Sequence, residues 1–255
     1  MFRAIFSWRK AKQIPPTYTA LSMMIGVLRN IGCHPDDIII LAIDSPKGSW
    51  RRNYDANYKA NRREKRESFD DIPWKKFFSD FRVLLDKVNI ATPFHSITID
   101  FYEADDIISV ACRRFKDQKC IIVSSDSDYE QLLSYPNVRV FSPISKKYKH
   151  VKHPEKILQK KIKQERTDNL ITPITNEQEY QIRLKIVDLT HLPGDVESEV
   201  NTHLSLVNDE KCYDLTQLPF QSLRARFMDI YNSSDPVEEN PKKHPKKLVI
   251  QKLEL

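Results

Sequence analysis

Glu103, Asp105 and Asp106 fall within one four-residue stretch, and Asp126 and Asp128 within the next acidic one. Each cluster follows an apolar or β-branched run: Ile97-Thr-Ile99-Asp-Phe101 before the first, Cys120-Ile-Ile-Val123 before the second. Such runs, separated by helical pattern, predict parallel strands of an α/β sheet. Ligands of these sheets bind at the carboxyl ends of the strands. Asp44, directly after Ile38-Ile-Ile-Leu-Ala-Ile43, adds a third acid-tipped strand. Carboxylates converging at one edge repel each other and call for a cation, and hard oxygen donors select Mg²⁺ or Mn²⁺. The chemistry such a site suits is two-metal phosphodiester hydrolysis. Helix capping accounts for either cluster alone, because acids in a first turn favour the macrodipole. Three acid-tipped strands exceed what capping explains.

The elements that must position these acids are legible in the hydrophobic pattern. Pro16 to Asn30 carries Leu21, Met24, Ile25 and Leu28 on one helical face, and Phe77, Phe81, Leu84 and Leu85 repeat the pattern after Trp74. A helix is expected from Glu103 to Phe115, a short one from Tyr129 to Leu133, and a strand over Val138–Phe141. Beyond Pro154 the pattern is helical only, over 176–187, 195–206 and 214–231. Three regions follow: residues 1–153 as the α/β domain, 154–232 as a smaller all-helical nucleic-acid-binding region, and 233–255 as a mobile tail. The tail is rich in Pro and Lys, and its last apolar residues (Leu248, Val249, Ile250, Leu253, Leu255) are read as frayed or docked on a partner.

Charge is unevenly placed. The chain of 255 residues has a net charge of +6, yet residues 47–66 alone hold eight basic against two acidic residues, and 146–163 hold eight lysines against Glu155. The remainder is net acidic. Basic blocks beside an acidic pocket suit a phosphate backbone held against the metal site. Four cysteines without C-x-x-C spacing are expected as reduced thiols of a cytoplasmic protein. No signal-peptide pattern opens the chain, its longest early apolar run is too short to span a bilayer, and four glycines in all leave no phosphate-binding Gly-rich loop.

Together these motifs resemble the 5′ nuclease (flap endonuclease) superfamily with its PIN-like fold. The residues that carry the resemblance are Ile43-Asp44, Trp50-Arg51-Arg52, Tyr58-Lys59-x-x-Arg62, Tyr102-Glu103-Ala104-Asp105-Asp106 and Ser124-Ser125-Asp126-x-Asp128-Tyr129-x-Gln131-Leu132. They span roughly residues 1–150. The resemblance implies a mostly parallel central sheet flanked by helices, with a basic arch over about 47–70. It implies a structure-specific 5′-3′ exonuclease or flap endonuclease that removes RNA primers or flaps during replication. Asp44, Glu103, Asp105, Asp106, Asp126 and Asp128 would be ligands of two Mg²⁺ ions, with Mn²⁺ as substitute. Lys59 and Arg62 would steer the scissile phosphate, Tyr58 would stack on a base, and Arg51, Arg52, Arg63, Lys146, Lys147 and Lys149 would hold the backbone. The expected partners are DNA and an RNA–DNA hybrid with a 5′ end or flap, with a single-strand-binding protein or clamp on the C-terminal region, and a monomeric state.

The chain departs from that family pattern in two places. Family members place a central strand ending in an Asp ahead of the point matched here by Arg3-Ala4-Ile5-Phe6, and this chain starts at that point. The expectation is that the first strand and its Asp are absent. The G-D-x-x-D-N motif is matched by Gln164-Glu165-Arg166-Thr167-Asp168-Asn169, so Asp168 is a further candidate ligand and Glu165 a weaker one. Two readings therefore compete: the nuclease, and a nucleic-acid-binding protein that kept the basic arch and lost chemistry with the first Asp. A PIN-type single-strand RNase shares the acids but leaves Tyr58-Lys59-x-x-Arg62 unexplained.

Overall fold

Ile38 to Ile43 is apolar at every position, and a strand without polar alternation is stable only where both its faces are covered. It forms β1 (Ile38–Ile43), buried along its whole length. The computed structural model describes residues 2–62, 68–163, 174–207, 211–232 and 246–253. Among them, β1 is followed by β2 (His95–Thr98), β3 (Lys119–Val123), β4 (Val138–Ser142), β5 (Lys147–Tyr148) and β6 (Lys247–Leu253). These strands make one sheet in the order β2-β1-β6-β3-β4-β5, parallel throughout except for the β4–β5 pair.

Helices cover both faces, as parallel sheets require. α1 (Phe2–Ala11), α2 (Pro16–Asn30), α3 (Trp74–Ala91) and α8 (Gln221–Asn232) enclose one core. In it Leu21, Phe81, Leu84 and Phe227 meet Ile39, Leu41, Ile121 and Val249 of the sheet. α4 (Ala104–Arg114) and α7 (Gly194–Leu204) enclose the other, where Ile107, Ile108, Val196 and Val200 meet Ile40, Ile122, Leu248 and Ile250. α5 (Glu155–Lys163) and α6 (Glu177–Val187) pack on each other beside a smaller cluster around Ile162 and Ile186.

Two expectations change. Within the expected tail, Lys247–Leu253 is a strand in the middle of the sheet, hydrogen-bonded to β1 and β3 on either side, while 233–245 and 254–255 lie outside the described residues. Leu248, Val249 and Ile250 are at most 1% exposed, so they are core residues and not a docking motif. The physical reason is the run itself, Leu-Val-Ile between two lysines, which suits a doubly covered parallel strand. Proline and lysine on its N-terminal side mask that signal. Asp37 and Lys247 fasten its start: the Lys247 amide donates to Asp37 Oδ1 (2.9 Å) and its ammonium to the Gly32 carbonyl (2.9 Å). Second, the helical region does not stand apart. Leu189, Val196, Val200, Leu223 and Phe227 belong to the same two cores as the first 150 residues.

Candidate metal and phosphate site

The register places every expected acid cluster at one edge. β1 ends at Ile43, so Asp44 emerges at the carboxyl end of the sheet; Ser124 to Asp128 leave β3 at the same end. Between them, β6 pairs Ile43 with Leu253 and Ala42 with Lys252. The loop after β2 is tied down to the loop after β1. The Ser45 amide donates to the Tyr102 carbonyl (3.0 Å), the Phe101 amide to Ser45 Oγ (3.0 Å) and the Trp50 amide to the Phe101 carbonyl (2.8 Å). Phe101 is held at φ 67°, a left-handed setting that a residue with a side chain seldom adopts. The chain then turns into α4, whose first amide, that of Ala104, donates to Asp44 Oδ1 (2.8 Å).

Four of the five carboxylates at this edge face a lysine of the chain's own. Glu103 Oε2 lies 2.9 Å from the Lys59 ammonium and accepts from the Tyr58 hydroxyl (3.1 Å). Asp105 Oδ1 lies 2.8 Å from the Lys252 ammonium and accepts from the buried Tyr129 hydroxyl. Asp126 Oδ2 lies 3.4 Å from the same Lys252 ammonium, while its Oδ1 accepts from the Asp128 amide (3.0 Å). Asp128 pairs with Lys161, itself buried on α5.

Charge follows this geometry. Burial pushes all five acids up, but the lysine beside Glu103 and the shared Lys252 of Asp105 and Asp126 overcome it and hold those three below their ordinary range. Asp44 is raised to about 6, by burial first, with Lys252 opposing. Asp128 is also raised to about 6, by burial and then by Asp126, against Lys161.

The sequence-selected residues therefore separate into groups. Asp44, Glu103, Asp105, Asp126 and Asp128 come together at the edge with Lys59. Asp106 does not join them. It is fully buried, with its Oδ1 2.8 Å from Arg51 and its Oδ2 accepting from Trp50 Nε1 (3.0 Å) and the Glu103 amide (2.9 Å). That is an anchor for the start of α4, not a ligand facing solvent. Arg51, expected on phosphate, is 1% exposed; its Nε donates to the Ile186 carbonyl (2.8 Å) at the end of α6. Tyr58, expected to stack on a base, is buried against Glu103. Lys149 is spent on the β3 loop, reaching the Asp126 carbonyl (2.9 Å) and Glu130 (2.9 Å). Arg52, Arg62, Lys146 and Lys147 are exposed. Arg63, Glu165 and Asp168 lie outside the described residues.

Three residues were missed. Tyr129 and Lys161 fall within motifs whose other members drew the attention. Lys252 had a signal of its own, since Leu248, Ile250 and Lys252 alternate along one strand face.

The donor set consists of carboxylate oxygens, which suits a hard divalent cation in kind. Among the described residues, however, no three acid, histidine or cysteine side chains are arranged to hold a metal ion as they stand. Glu103 and Asp128 are turned to Lys59 and Lys161, and Asp105 and Asp126 share Lys252.

The fold is a mostly parallel α/β sheet with clustered acids and lysines at its carboxyl edge, and the comparisons say which family it belongs to. The family of the 5′-3′ exonuclease N-terminal resolvase-like domain matches residues 1–165, and this chain belongs to it. Over 117 residues it is 39% identical to the ribonuclease H of Enterobacteria phage T4, covering 45% of this chain and 38% of that protein. Likewise over 117 residues, it is 32% identical to the 5′-3′ exonuclease of Mycoplasmopsis pulmonis (strain UAB CTIP), covering 46% of this chain and 35% of that protein. The match thus spans little more than a third of either curated relative. In fold, the chain is similar to a T5 protein co-crystallised with metal ions (TM-score 0.59, 16% identity, 80% of this chain and 96% of that one). It is also similar to T5 5′-exonuclease with zinc ions bound (TM-score 0.52, 20% identity, 89% and 94%).

Proposed function

We propose that this chain is a divalent-cation-dependent nuclease acting at the 5′ end or flap of DNA and RNA–DNA hybrids. The observation that carries the reading is the gathering of Asp44, Glu103, Asp105, Asp126 and Asp128 at the carboxyl edge of the sheet, with Lys59 and Lys161 against them. These five acids would hold Mg²⁺ or Mn²⁺, which supplies Lewis-acid stabilisation of phosphate charge and makes a water nucleophilic at neutral pH. The chain's own cations do the rest. Lys59 and Lys161 lie where they can pair with a phosphate once the acids are neutralised otherwise, and preorganised charge of that kind stabilises the transition state. Exposed Arg52, Arg62, Lys146 and Lys147 would follow the backbone. Arg63 and Asp168 extend the same reading, and a monomer suffices for it.

One observation favours a second reading, a nucleic-acid-binding protein without chemistry: the Lys252 ammonium between Asp105 and Asp126. Cleavage of a 5′-labelled flap and of an RNA–DNA hybrid, in Mg²⁺ and in EDTA, separates the two. Cutting that needs Mg²⁺ and disappears in Asp126→Asn supports the nuclease. Salt-sensitive binding without cutting favours the second reading.

A further inference from the structure

β6 brings one charged side chain into the acid cluster. Its face alternates, so that Leu248 and Ile250 enter the core under α4 while Lys252, two residues on, reaches the sheet edge. The Lys252 side chain is 7% exposed, and its ammonium lies 2.8 Å from Asp105 Oδ1 and 3.4 Å from Asp126 Oδ2. Asp105 is itself 9% exposed. A buried ammonium bridging two carboxylates, one in the first turn of α4 and one in the loop after β3, does what a bound cation would do there: it offsets their repulsion in a poorly solvated place.

Resting on the metal reading above, we propose that Lys252 is a built-in surrogate cation, and that divalent ions and the C-terminal strand compete for Asp105 and Asp126. Two ligands of one set of donors are negatively coupled by necessity. Metal can enter only as the ammonium withdraws, so the strand that completes the sheet also sets the threshold of metal occupancy. The flexible four-carbon stem of lysine permits that withdrawal without moving the backbone of β6.

The test is Mn²⁺ binding followed by calorimetry and by the loss of the free-ion paramagnetic resonance signal, near neutral pH and without nucleic acid. Lys252→Met keeps the stem and removes the charge. It is expected to bind Mn²⁺ at least about tenfold more tightly than the unmutated chain, since one positive charge leaves the immediate neighbourhood of the ion. Lys252→Arg, which keeps the charge, is expected to stay near the unmutated affinity. Equal affinity in Lys252→Met and the unmutated chain overturns the inference and leaves the metal reading standing. No Mn²⁺ binding by any of the three overturns both. The unmutated chain supplies an independent readout should Lys252→Met fail to fold. Acetylation of Lys252, read by mass spectrometry, is expected to be slow without metal and to rise several-fold at saturating Mn²⁺. A rate unchanged by Mn²⁺ overturns the inference.

Discussion

Arg51 tests the assignment of interior against surface most directly. Its guanidinium makes an ion pair with Asp106 (2.8 Å), lies 3.4 Å from Glu103 and donates to the Ile186 carbonyl (2.8 Å). Arg51 is 1% exposed and Asp106 not at all. Replacing Arg51 by Met preserves the stem but strands a carboxylate in the interior, and breaking a buried pair in this way costs about 3–5 kcal/mol. For a domain of this size each kcal/mol shifts the midpoint by roughly 2–4 °C, so a fall of about 6–20 °C is expected. Asp106 also accepts from Trp50 Nε1 and the Glu103 amide. The double variant Arg51→Met with Asp106→Leu removes the stranded charge but orphans those two donors, at about 1–3 kcal/mol for each buried donor left without a partner. It is expected to be less stable than the unmutated chain by about 2–6 kcal/mol. Urea unfolding followed by circular dichroism measures all three, with nucleic-acid affinity against salt recorded in parallel. The reasoning is refuted if Arg51→Met loses less than about 1 kcal/mol while the salt slope of binding falls by about one counterion, the signature of a phosphate contact.

Three further outcomes are expected. Ile250→Ala, at a fully buried position of β6, should destabilise the fold by about 2–5 kcal/mol; a change within a few tenths by the same urea assay would return the C-terminal stretch to the status of a frayed tail. Triple replacement of Arg52, Lys146 and Lys147 by Ala should weaken DNA binding alike for all sequences and lower the salt slope by about two to three, measured by fluorescence anisotropy, with the midpoint of unfolding unchanged. In EDTA, thermal stability should rise as pH falls from about 7 towards 5. Asp44 and Asp128 take up protons near pH 6 in the folded state but near 3.8 when unfolded. The folded chain thus binds more protons in that window, and stability grows on acidification. Partial solvation limits the gain to about 1 kcal/mol per group. Glu103, Asp105 and Asp126, held below their ordinary range, contribute in the opposite sense: their stabilisation is present above the unfolded value and is lost in more acid solution. A midpoint that falls steadily between pH 7 and 5 in calorimetry would contradict this balance.

Local pattern sufficed wherever one residue run determined one environment. β1 and β3 are runs too apolar for any place but a covered sheet, and Asp44, Asp126 and Asp128 follow from them, as Glu103 and Asp105 follow β2, because the end of a parallel strand fixes where the next residues emerge. α2, α3 and α4 declared themselves by helical spacing of apolar residues. What pattern could not convey was which way a long polar side chain turns. Arg51 and Tyr58 in the first basic block and Lys149 in the second read as a nucleic-acid surface, yet each faces inward, against α6, Glu103 or the β3 loop.

The largest difference lies in β6. Its residues are compatible with a strand, but a strand's place in a sheet depends on partners remote in sequence. The slot between β1 and β3 exists only once those two strands and their helices are assembled. The sequence by itself determined an α/β scaffold with acids at strand ends and lysines in blocks. Only the tertiary structure decided that the C-terminal strand completes the sheet, and that its Lys252 stands among the acids. Ion pairing is set by distance and burial, and neither is a property of the chain before it folds.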